Sequence, residues 1–341
     1  MFSFANLSIP VIQAPMAGGI TTPELVAEVS NAGGLGSFGF AYSYPEIIAH
    51  DLKLAQSLTQ GPINANFFLF PSAELPDSKT IEWAIEPLRQ LAPNVDFTVP
   101  KPPFYPNLEM QLEPAWQLRP AVLSFHFGIP PEWVMQRARA HNIAIGITAT
   151  SLEEALMIEQ AGASFIVAQG IEAGGHRGTF EGESSDEWLT TFDLLLQLVR
   201  RCTIPVVAAG GIMDGSDIRK ALDYGASAVQ MGSVFLSCTE SGASSEYKGL
   251  LLAENPRSSI FTKGFSGRWA RGIENAFTRH MEGKPTLPFP IQNTLTGALR
   301  QAAARSHNAE HQSLWAGAAF YKARALKACE LMKALQIELE G

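Results

Sequence analysis

Residues 205–233 have the sequence PVVAAGGIMDGSDIRKALDYGASAVQMGS, which predicts the repeating unit of the fold. The short apolar runs at 205–208 and 228–231 are those expected of strands buried on both faces of a sheet. Between them, apolar residues recur at three- and four-residue spacing, which is typical of an amphipathic helix, and Gly225 follows as a helix C-cap would. The stretch therefore predicts a strand, a helix and a second, parallel strand.

The same alternation extends from the start of the chain to about residue 232. Eight strands are predicted, at residues 11–13, 35–38, 63–68, 121–125, 144–147, 165–169, 205–208 and 228–231. Several helix-like stretches between them end as a C-cap would, at Gly33, Asn142, Gly162 and Gly225. Eight such units over about 220 residues predict a (β/α)8 TIM barrel, an α/β fold that usually takes about 250 residues. A doubly wound open sheet is the alternative.

Two segments fall outside this repeat. Residues 92–119 contain the Pro-rich stretch PKPPFYPNLE, and a connection of that length is usually functional, often a lid over a site. Residues 240–341 have no strand pattern, so we expect a mainly helical extension to a barrel domain of residues 1–239. Its amphipathic last segment, KARALKACELMKALQIELE, is expected to pack on the barrel or on a sister subunit in a homodimer.

The charge of the chain argues against two classes of partner. Lys and Arg number 25 and Asp and Glu 33, so the formal net charge is −8. Nucleic acids and anionic membranes bind basic surfaces, so a small molecule is the better candidate. No apolar run is long enough for a membrane span. The three cysteines are scattered and lack metal-site spacing, which favours a reduced compartment, the cytoplasm, and no bound metal.

Glycines and polar residues cluster where the predicted strands end. The carboxyl ends of the strands meet on one face of a TIM barrel, where its active site is built. The residues in question are Ala14, Pro15 and Met16 after the first strand, Gly39 after the second, Asn66 in the third, His126 after the fourth, residues 169–178 around the sixth, and Ala209, Gly210, Gly211, Gly232 and Ser233 after the last two. Loops after the seventh and eighth strands usually bind phosphate, because glycine lets backbone amides approach the anion.

His176 is the leading catalytic candidate. It lies in a Gly-rich stretch, where an imidazole could act as base, acid or hydrogen-bond donor near physiological pH. The alternative is a loop histidine that only bonds a backbone carbonyl. For His126, in the sequence SFHFG, packing in the core competes with a role in the pocket. Glu172 and Arg177 are expected to pair with each other or with solvent, and no cysteine lies in these loops as a candidate nucleophile.

Five segments of the chain resemble one enzyme family. They are VIQAPMAGGITTPEL near the N-terminus, VLSFHFGIP, AQGIEAGGHRG, PVVAAGGIMDG leading into GASAVQMGSVF, and NAEHQSLWAG towards the C-terminus. Together they resemble the flavin-dependent nitronate monooxygenases, formerly called 2-nitropropane dioxygenases, in the subgroup with the FHFG and EAGGHRG motifs. One departure is Ser216, where many members have Arg after Asp-Gly. The resemblance covers most of the chain.

The resemblance implies one FMN at the carboxyl ends of the barrel strands. In that arrangement the backbone of residues 14–16 lies against the isoalloxazine, and two amides hydrogen-bond its polar edge. The residues carried over for the cofactor are Ala14, Pro15, Met16, Asn66, Gln169, Gly174, Gly175, Gly210, Gly211, Gln230, Gly232 and Ser233. His176 matches the family's active-site histidine, and His126 matches a second pocket histidine.

The implied reaction is oxidation of an alkyl nitronate, such as propionate 3-nitronate, with O₂ to a carbonyl compound and nitrite. Because the nitronate is already a carbanion equivalent, His176 is expected to orient it and stabilise its charge, with base catalysis only for neutral nitroalkanes. FMN-dependent enoyl-acyl-carrier-protein reductases share the APMAG, EAGGH and AAGGI segments and use reduced nicotinamide, which makes them the first alternative. A flavin-binding protein without turnover is the second.

Overall fold

Eight parallel strands form a barrel in the computed structural model, which describes residues 2–180 and 186–341. A parallel bridge between Ile12 and Leu35 joins the two edge strands, so the sheet closes on itself. In chain order the strands are β1 (Val11–Gln13), β2 (Gly36–Gly39), β3 (Ile63–Phe68), β4 (Val122–His126), β5 (Ala144–Ala149), β6 (Phe165–Gln169), the short β7 (Gly175–His176) outside the barrel, β8 (Val206–Ala209) and β9 (Ala228–Met231). The (β/α)8 TIM barrel is confirmed, and the open sheet is wrong.

Helices follow the barrel strands and continue into the C-terminal part. Those of the barrel region are α1 (Pro23–Asn31), α2 (Pro45–Leu58), α3 (Ser78–Leu91), α4 (Leu108–Leu118), α5 (Glu132–Ala140), α6 (Leu152–Gln160), α7 (Thr191–Arg201), α8 (Gly215–Asp223) and α9 (Ser233–Leu236). Those beyond it are α10 (Ser245–Leu251), α11 (Ala276–Met281), α12 (Ile291–Leu295), α13 (Gly297–Arg305) and α14 (Ala328–Glu340).

The helix ends follow the local sequence closely. The four residues predicted to cap helix C-termini all have positive φ, between +57° and +96°, at Gly33, Asn142, Gly162 and Gly225. Only glycine, and more rarely asparagine, adopts this conformation at little cost. At the N-terminus of α8, the side chain of Asp214 accepts a hydrogen bond from the backbone N–H of Asp217 at 2.9 Å. These local signals fix where the helices stop and start.

The C-terminal part contains strands that the sequence did not predict. Strands β10 (Ser259–Thr262) and β11 (Ala270–Ile273) pair antiparallel, and β11 also pairs with β7. They were missed because each has only four residues, and β11 (Ala-Arg-Gly-Ile) shows no apolar alternation. Pairing with a loop about 95 residues away in sequence stabilises them instead. The small sheet therefore anchors the extension to the loop after β6; the domain division at residue 239 stays a prediction.

The Pro-rich segment is more ordered than a long connection. Its second half forms α4, which contacts α2. Phe97 is buried in a second apolar core with Phe265, Phe277 and Leu287 of the extension, and residues of α3 complete that core. Residues 92–119 thus join the extension to the barrel by apolar packing, and a role as a lid stays a prediction.

The last helix, α14, packs on the barrel, which is one of the two placements expected for it. Leu331, Met332 and Leu335 are fully or nearly fully buried, and the helix contacts α8 and α1. Its Glu338 carboxylate accepts a hydrogen bond from the backbone N–H of Gly215, the first residue of α8, at 2.9 Å. Among the described helices, none has the length and apolar character needed to cross a membrane.

Candidate active site

The inward-facing rows of the barrel change from apolar to polar along the strands. Towards the amino ends, alternate positions hold Val122, Phe165 and Ala228 in one buried cluster, with Phe4 packed beneath at 5.1 Å between its ring and that of Phe165. Continuing each row by two or four residues reaches the carboxyl ends. The side chains there are His126 on β4, Gln169 on β6 and Gln230 on β9. Strand alternation therefore brings the predicted residues to one end of the barrel.

Asn66 on β3 lies in this polar layer beside Ser124. Its Nδ2 donates to the Ser124 hydroxyl at 3.0 Å, and the same hydroxyl accepts from Asn64 Nδ2 at 2.9 Å. Asn66 is only 5% exposed, so a neighbouring strand fixes its amide group. An amide held in this way can direct its remaining hydrogen-bonding groups at a ligand.

Three residues that the sequence singled out meet at one backbone oxygen. The carbonyl of His176 accepts hydrogen bonds from Gln169 Nε2 at 3.0 Å and from His126 Nε2 at 3.2 Å. The Gln169 Oε1 atom accepts from the Gly178 N–H at 2.8 Å. His126 therefore carries its proton on Nε2, because a carbonyl can only accept. The network fixes the loop after β6 to strands β4 and β6.

Arg177 holds the same loop from beneath, but with a different partner from the one expected. Its guanidinium forms a bidentate ion pair with Asp186 at 2.7 and 2.8 Å, and both side chains are almost fully buried. It also donates to the carbonyls of Gln169 and Gly170 at 2.9 and 3.0 Å. Glu172 instead accepts from the N–H and hydroxyl of Thr191. The expected pairing of Arg177 with Glu172 or solvent is wrong, because Asp186 offers a buried, planar match to the guanidinium.

The imidazole of His176 is enclosed largely by residues from the extension. Its Nε2 lies 2.9 Å from the Ser266 hydroxyl oxygen. Ring centroids of Phe289 and Trp315 lie 5.5 Å away, and those of Phe127 and Phe68 at 6.0 and 6.1 Å. Sequence inspection missed Ser266, Phe289 and Trp315, and only the last belongs to a segment that carried the family resemblance. No local motif marks the other two.

The hydroxyl of Ser266 sets which nitrogen of His176 carries the proton. Ser266 Oγ lies 3.1 Å from the carbonyl oxygen of Arg268, which can only accept. With the hydroxyl proton on that carbonyl, His176 Nε2 donates to Ser266, and Nδ1 presents a lone pair. When the hydroxyl turns to His176 Nε2, the imidazole proton moves to Nδ1, which then becomes a donor. His176 can therefore serve either as an acceptor or as a donor without a change of charge.

Both histidines are neutral at physiological pH. Burial, and then the positive charge of Arg268, lower the pKa of His176 to about 3, with a further contribution from Arg300. The same two causes lower the pKa of His126 to about 3. Arg268 lies over the ring of Phe127 at 4.0 Å and donates to the Arg177 carbonyl at 3.1 Å. The charges of described residues that act on the two imidazoles are thus positive, and no described carboxylate hydrogen-bonds to either imidazole. Such a site favours an anionic ligand.

The loops after β8 and β9 have the features of a phosphate-binding cradle. Gly210 and Gly211 have φ of +124° and +72°, and the backbone amides of Gly211 and Ile212 have no hydrogen-bond acceptor within the described residues. In the first turn of helix α8, the N–H groups of Gly215 and Asp217 are already bonded to the carboxylates of Glu338 and Asp214. Two adjacent unpaired amides on a glycine loop suit an anion such as the phosphate of FMN.

Glycines also leave space where the strand ends approach each other. At Gly175 (φ +80°), no atom lies within 4 Å of where a Cβ would be, whereas a Cβ on Gly232 would lie 3.4 Å from that of Ala14 and 4.0 Å from Met16 Sδ. A Cβ on Gly174 would come within 2.6 Å of the Gly317 backbone. The Ser233 hydroxyl accepts from the Gly317 N–H at 2.8 Å. The open space at Gly175 is compatible with a flat ring system and the amides of Gly211 and Ile212 with a phosphate, while the Gly317 backbone closes the side next to Gly174.

Comparison with known proteins identifies the family. The family model described as nitronate monooxygenase matches residues 2–338. A nitronate monooxygenase of Pseudomonas aeruginosa is 41% identical, with 97% of this chain and 96% of the relative covered, and a probable one of Bacillus subtilis is 37% identical, with 92% and 90% covered.

One solved structure agrees with this assignment, and a more distant one shares the fold. Nitroalkane oxidase from Streptomyces ansochromogenes has a TM-score of 0.92 and 36% identity, with 98% of this chain and 97% of that chain covered. FabK from Thermotoga maritima, at 24% identity and a TM-score of 0.76 over 99% of this chain and 94% of that chain, shares the fold. The chain belongs to the nitronate monooxygenase family of flavin-dependent oxidoreductases.

Proposed function

We propose that this protein is an FMN-dependent nitronate monooxygenase, which oxidises alkyl nitronates such as propionate 3-nitronate with O₂ to a carbonyl compound and nitrite. Beyond family membership, the observation that carries the proposal is the charge of the pocket. Two neutral histidines lie in the field of Arg268, and no described carboxylate hydrogen-bonds to either imidazole. Such a pocket suits a substrate that arrives as an anion and needs no strong base.

The residues that would hold FMN are those at the strand ends. The amides of Gly211 and Ile212, with Gly210, Gly232 and Ser233, would bind the phosphate. Residues 14–16, Gly174 and Gly175 would lie against the ring system, and its polar edge would face the amides Asn66, Gln169 and Gln230. When bound, FMN accepts an electron from the substrate and reacts with O₂.

In this proposal the protein orients and stabilises the nitronate. His176, in the tautomer with the proton on Nδ1, donates to a nitronate oxygen while Ser266 donates to Nε2. In the other tautomer its Nδ1 lone pair would take a proton from a neutral nitroalkane, but a pKa of about 3 makes it a weak base. His126 keeps the His176 backbone in place through its carbonyl. The aromatic rings around His176 exclude water and so strengthen these interactions.

Activity with a defined nitronate tests the proposal. O₂ consumption and nitrite release are measured with propionate 3-nitronate for the parent protein, for His176→Ala and for His50→Ala. His50 is the matched control, because its side chain is 69% exposed. We expect His176→Ala to lower kcat/KM by about 10- to 100-fold, the range for loss of one preorganised donor, and the control to match the parent. Absence of O₂ consumption by a parent protein with flavin bound would favour a flavin-binding protein without turnover.

The enoyl-acyl-carrier-protein reductase alternative predicts a different electron source. Rapid anaerobic mixing of the FMN-loaded protein with NADH or NADPH separates the two enzymes, with flavin absorbance as the readout. We expect the flavin to stay oxidised with either nicotinamide and to bleach with the nitronate. Rapid bleaching by a nicotinamide, together with slow reaction with nitronate, would contradict the proposed function.

Two further properties belong to the proposal. The scattered cysteines, none of them in a disulfide, fit a reduced compartment, so we place the protein in the cytoplasm. We also propose that the protein forms a homodimer. Light scattering or sedimentation of the purified protein would measure its oligomeric state.

A further inference from the structure

Two buried polar groups beside the pocket have no partner within the described residues. They are the hydroxyl oxygen of Tyr42, in the loop after β2, and the Nε atom of Arg300 on α13. Buried polar atoms are almost always hydrogen-bonded, so an unpaired pair calls for an explanation such as a ligand. Both residues belong to parts of the chain that the proposed chemistry has not used.

The charge of Arg300 is not neutralised by the protein. Its Nη2 donates to the backbone and side-chain oxygens of Asn293 at 2.6 and 3.1 Å, and both acceptors are neutral. Across residues 2–180 and 186–341, no Asp or Glu forms an ion pair with it, in contrast to the buried Arg177, which has Asp186. Burial lowers the pKa of Arg300, because the charged guanidinium is removed from water. A buried cation with neutral partners favours an anion as its ligand.

Aromatic rings connect this pair to the reacting end of the pocket. The ring of Tyr42 lies 5.9 Å from that of Phe68, which in turn lies 6.1 Å from His176. On the other side, Tyr42 lies 5.7 Å from Phe70, and Phe70 lies 5.6 Å from Phe289, which contacts His176. One ring therefore separates Tyr42 from His176 along the first route, and two rings separate them along the second. Arg300 is close enough to both Tyr42 and His176 for its charge to act on each: it contributes to the lowered pKa of His176 and opposes the rise that burial causes in the pKa of Tyr42.

We propose that Tyr42 and Arg300 form a carboxylate subsite, which binds the second anionic group of a nitronate whose reacting end lies at His176. A guanidinium and a phenol hydroxyl offer several donors and no charged acceptor, which matches a carboxylate. The inference rests on the proposed function and deepens it. It assigns to Tyr42 and Arg300 the preference for nitronates with a terminal carboxylate over those with an uncharged alkyl chain.

Two nitronates of equal carbon number test the subsite. Propionate 3-nitronate carries the carboxylate, and propyl 1-nitronate has a methyl group in its place. The parent protein is expected to prefer the first in kcat/KM. Arg300→Met and Tyr42→Phe are expected to lower kcat/KM for propionate 3-nitronate by roughly 10- to 100-fold and roughly 3- to 10-fold, which corresponds to the loss of a charged and of a neutral hydrogen bond. For propyl 1-nitronate, the change is expected to stay within about threefold.

Matched controls are available on the same elements. Arg305→Met changes an exposed arginine of α13, and Tyr44→Phe changes a tyrosine that is 67% exposed two residues from Tyr42. Neither is expected to alter the ratio of the two kcat/KM values. Tyr42→Phe removes a single oxygen atom and keeps the ring, so it tests the subsite even where Arg300→Met fails to fold. Equal losses on both nitronates, or no loss on either, would overturn the proposal.

A binding measurement separates this inference from the proposed function. Calorimetric titration with 3-nitropropionate, whose carboxylate is charged and whose nitro group is neutral, needs no turnover. Weaker binding by Arg300→Met than by Arg305→Met supports the subsite, even if neither nitronate is oxidised and the proposed function fails. Equal binding by both variants contradicts the subsite, whatever the activity of the protein.

Discussion

Replacing Arg177 by Met tests whether the buried ion pair holds the loop that carries His176. The substitution keeps an unbranched side chain of similar length but removes every donor. Asp186 loses both of its guanidinium contacts and keeps one from the Trp188 N–H at 2.9 Å. The carbonyls of Gln169 and Gly170 lose the hydrogen bonds that they accept from Arg177. A buried carboxylate is then left without a counter-charge.

The size of the effect follows from the burial of the pair. The side chains of Arg177 and Asp186 are only 3% and 2% exposed, so little solvent screens the change. Breaking such a pair from one side costs about 3–5 kcal/mol in the free energy of unfolding. Unfolding entropy scales with length, and for a chain of 341 residues this loss lowers Tm by about 4–7 °C. The affinity of the protein for FMN is expected to fall in parallel, because the loop after β6 is part of the proposed FMN site.

Circular dichroism follows the unfolding of the purified protein. Thermal unfolding gives its Tm, and urea unfolding gives its free energy of unfolding. Arg89→Met is the matched control, because the Arg89–Glu82 pair is 47% and 63% exposed and its loss is expected to cost less than about 1 kcal/mol. FMN affinity is measured by fluorescence titration. An Arg177→Met protein whose free energy of unfolding falls no further than that of Arg89→Met would refute the reasoning.

Three further predictions concern the site. Ser266→Ala removes the hydroxyl that selects the tautomer, so kcat/KM for a nitronate is expected to fall about 3- to 10-fold, while Ser266→Thr restores it; equal activity of all three proteins would contradict the tautomer assignment. The pKa of both site histidines is lowered from 6.5 to about 3, so the unfolded chain binds more protons between these values. The free energy of unfolding is therefore expected to decrease as pH falls from about 6.5 towards 3, less steeply in His176→Gln, and kcat/KM should show no histidine ionisation between about pH 6 and 8. A Cβ on Gly210 would lie 2.6 Å from the Thr191 hydroxyl at a φ of +124°, so Gly210→Ala should weaken FMN binding, whereas Gly249→Ala, with open space around its Cβ, should not.

Local sequence predicted the barrel well, for a physical reason. Strands such as Val206–Ala209 are buried on both faces, and burial demands a continuous apolar run that is visible in the sequence. Helix ends were visible because residues such as Gly33 and Asn142 must adopt positive φ there. Strand ends then converge on one face of any TIM barrel, so Asn66, His126 and Gln169 could be placed together from their positions alone.

The other half of the site was not predictable from local patterns. Ser266 meets His176 across 90 residues, and Phe289 and Trp315 reach the same ring from further along the chain. Each lies in a turn or irregular segment of the extension, and such segments have no periodic sequence pattern. The pairing of β11 with β7, which joins the extension to the loop after β6, leaves no periodic trace in a four-residue strand either. The pairing of Arg177 with Asp186, only nine residues apart, was missed because no local pattern distinguishes Asp186 from Glu172 as the partner.

The sequence alone determined the barrel, the end of it that holds the site, the glycine loops after β8 and β9, and, through its motifs, the family. These depend on periodicity, burial and backbone conformation, which are local properties. Only the tertiary structure decided the state of the site: the neutral histidines, the tautomer control by Ser266 and the uncompensated charge of Arg300. Charge and protonation depend on which groups lie within a few ångströms in a buried environment, and that is set by contacts between distant segments of the chain.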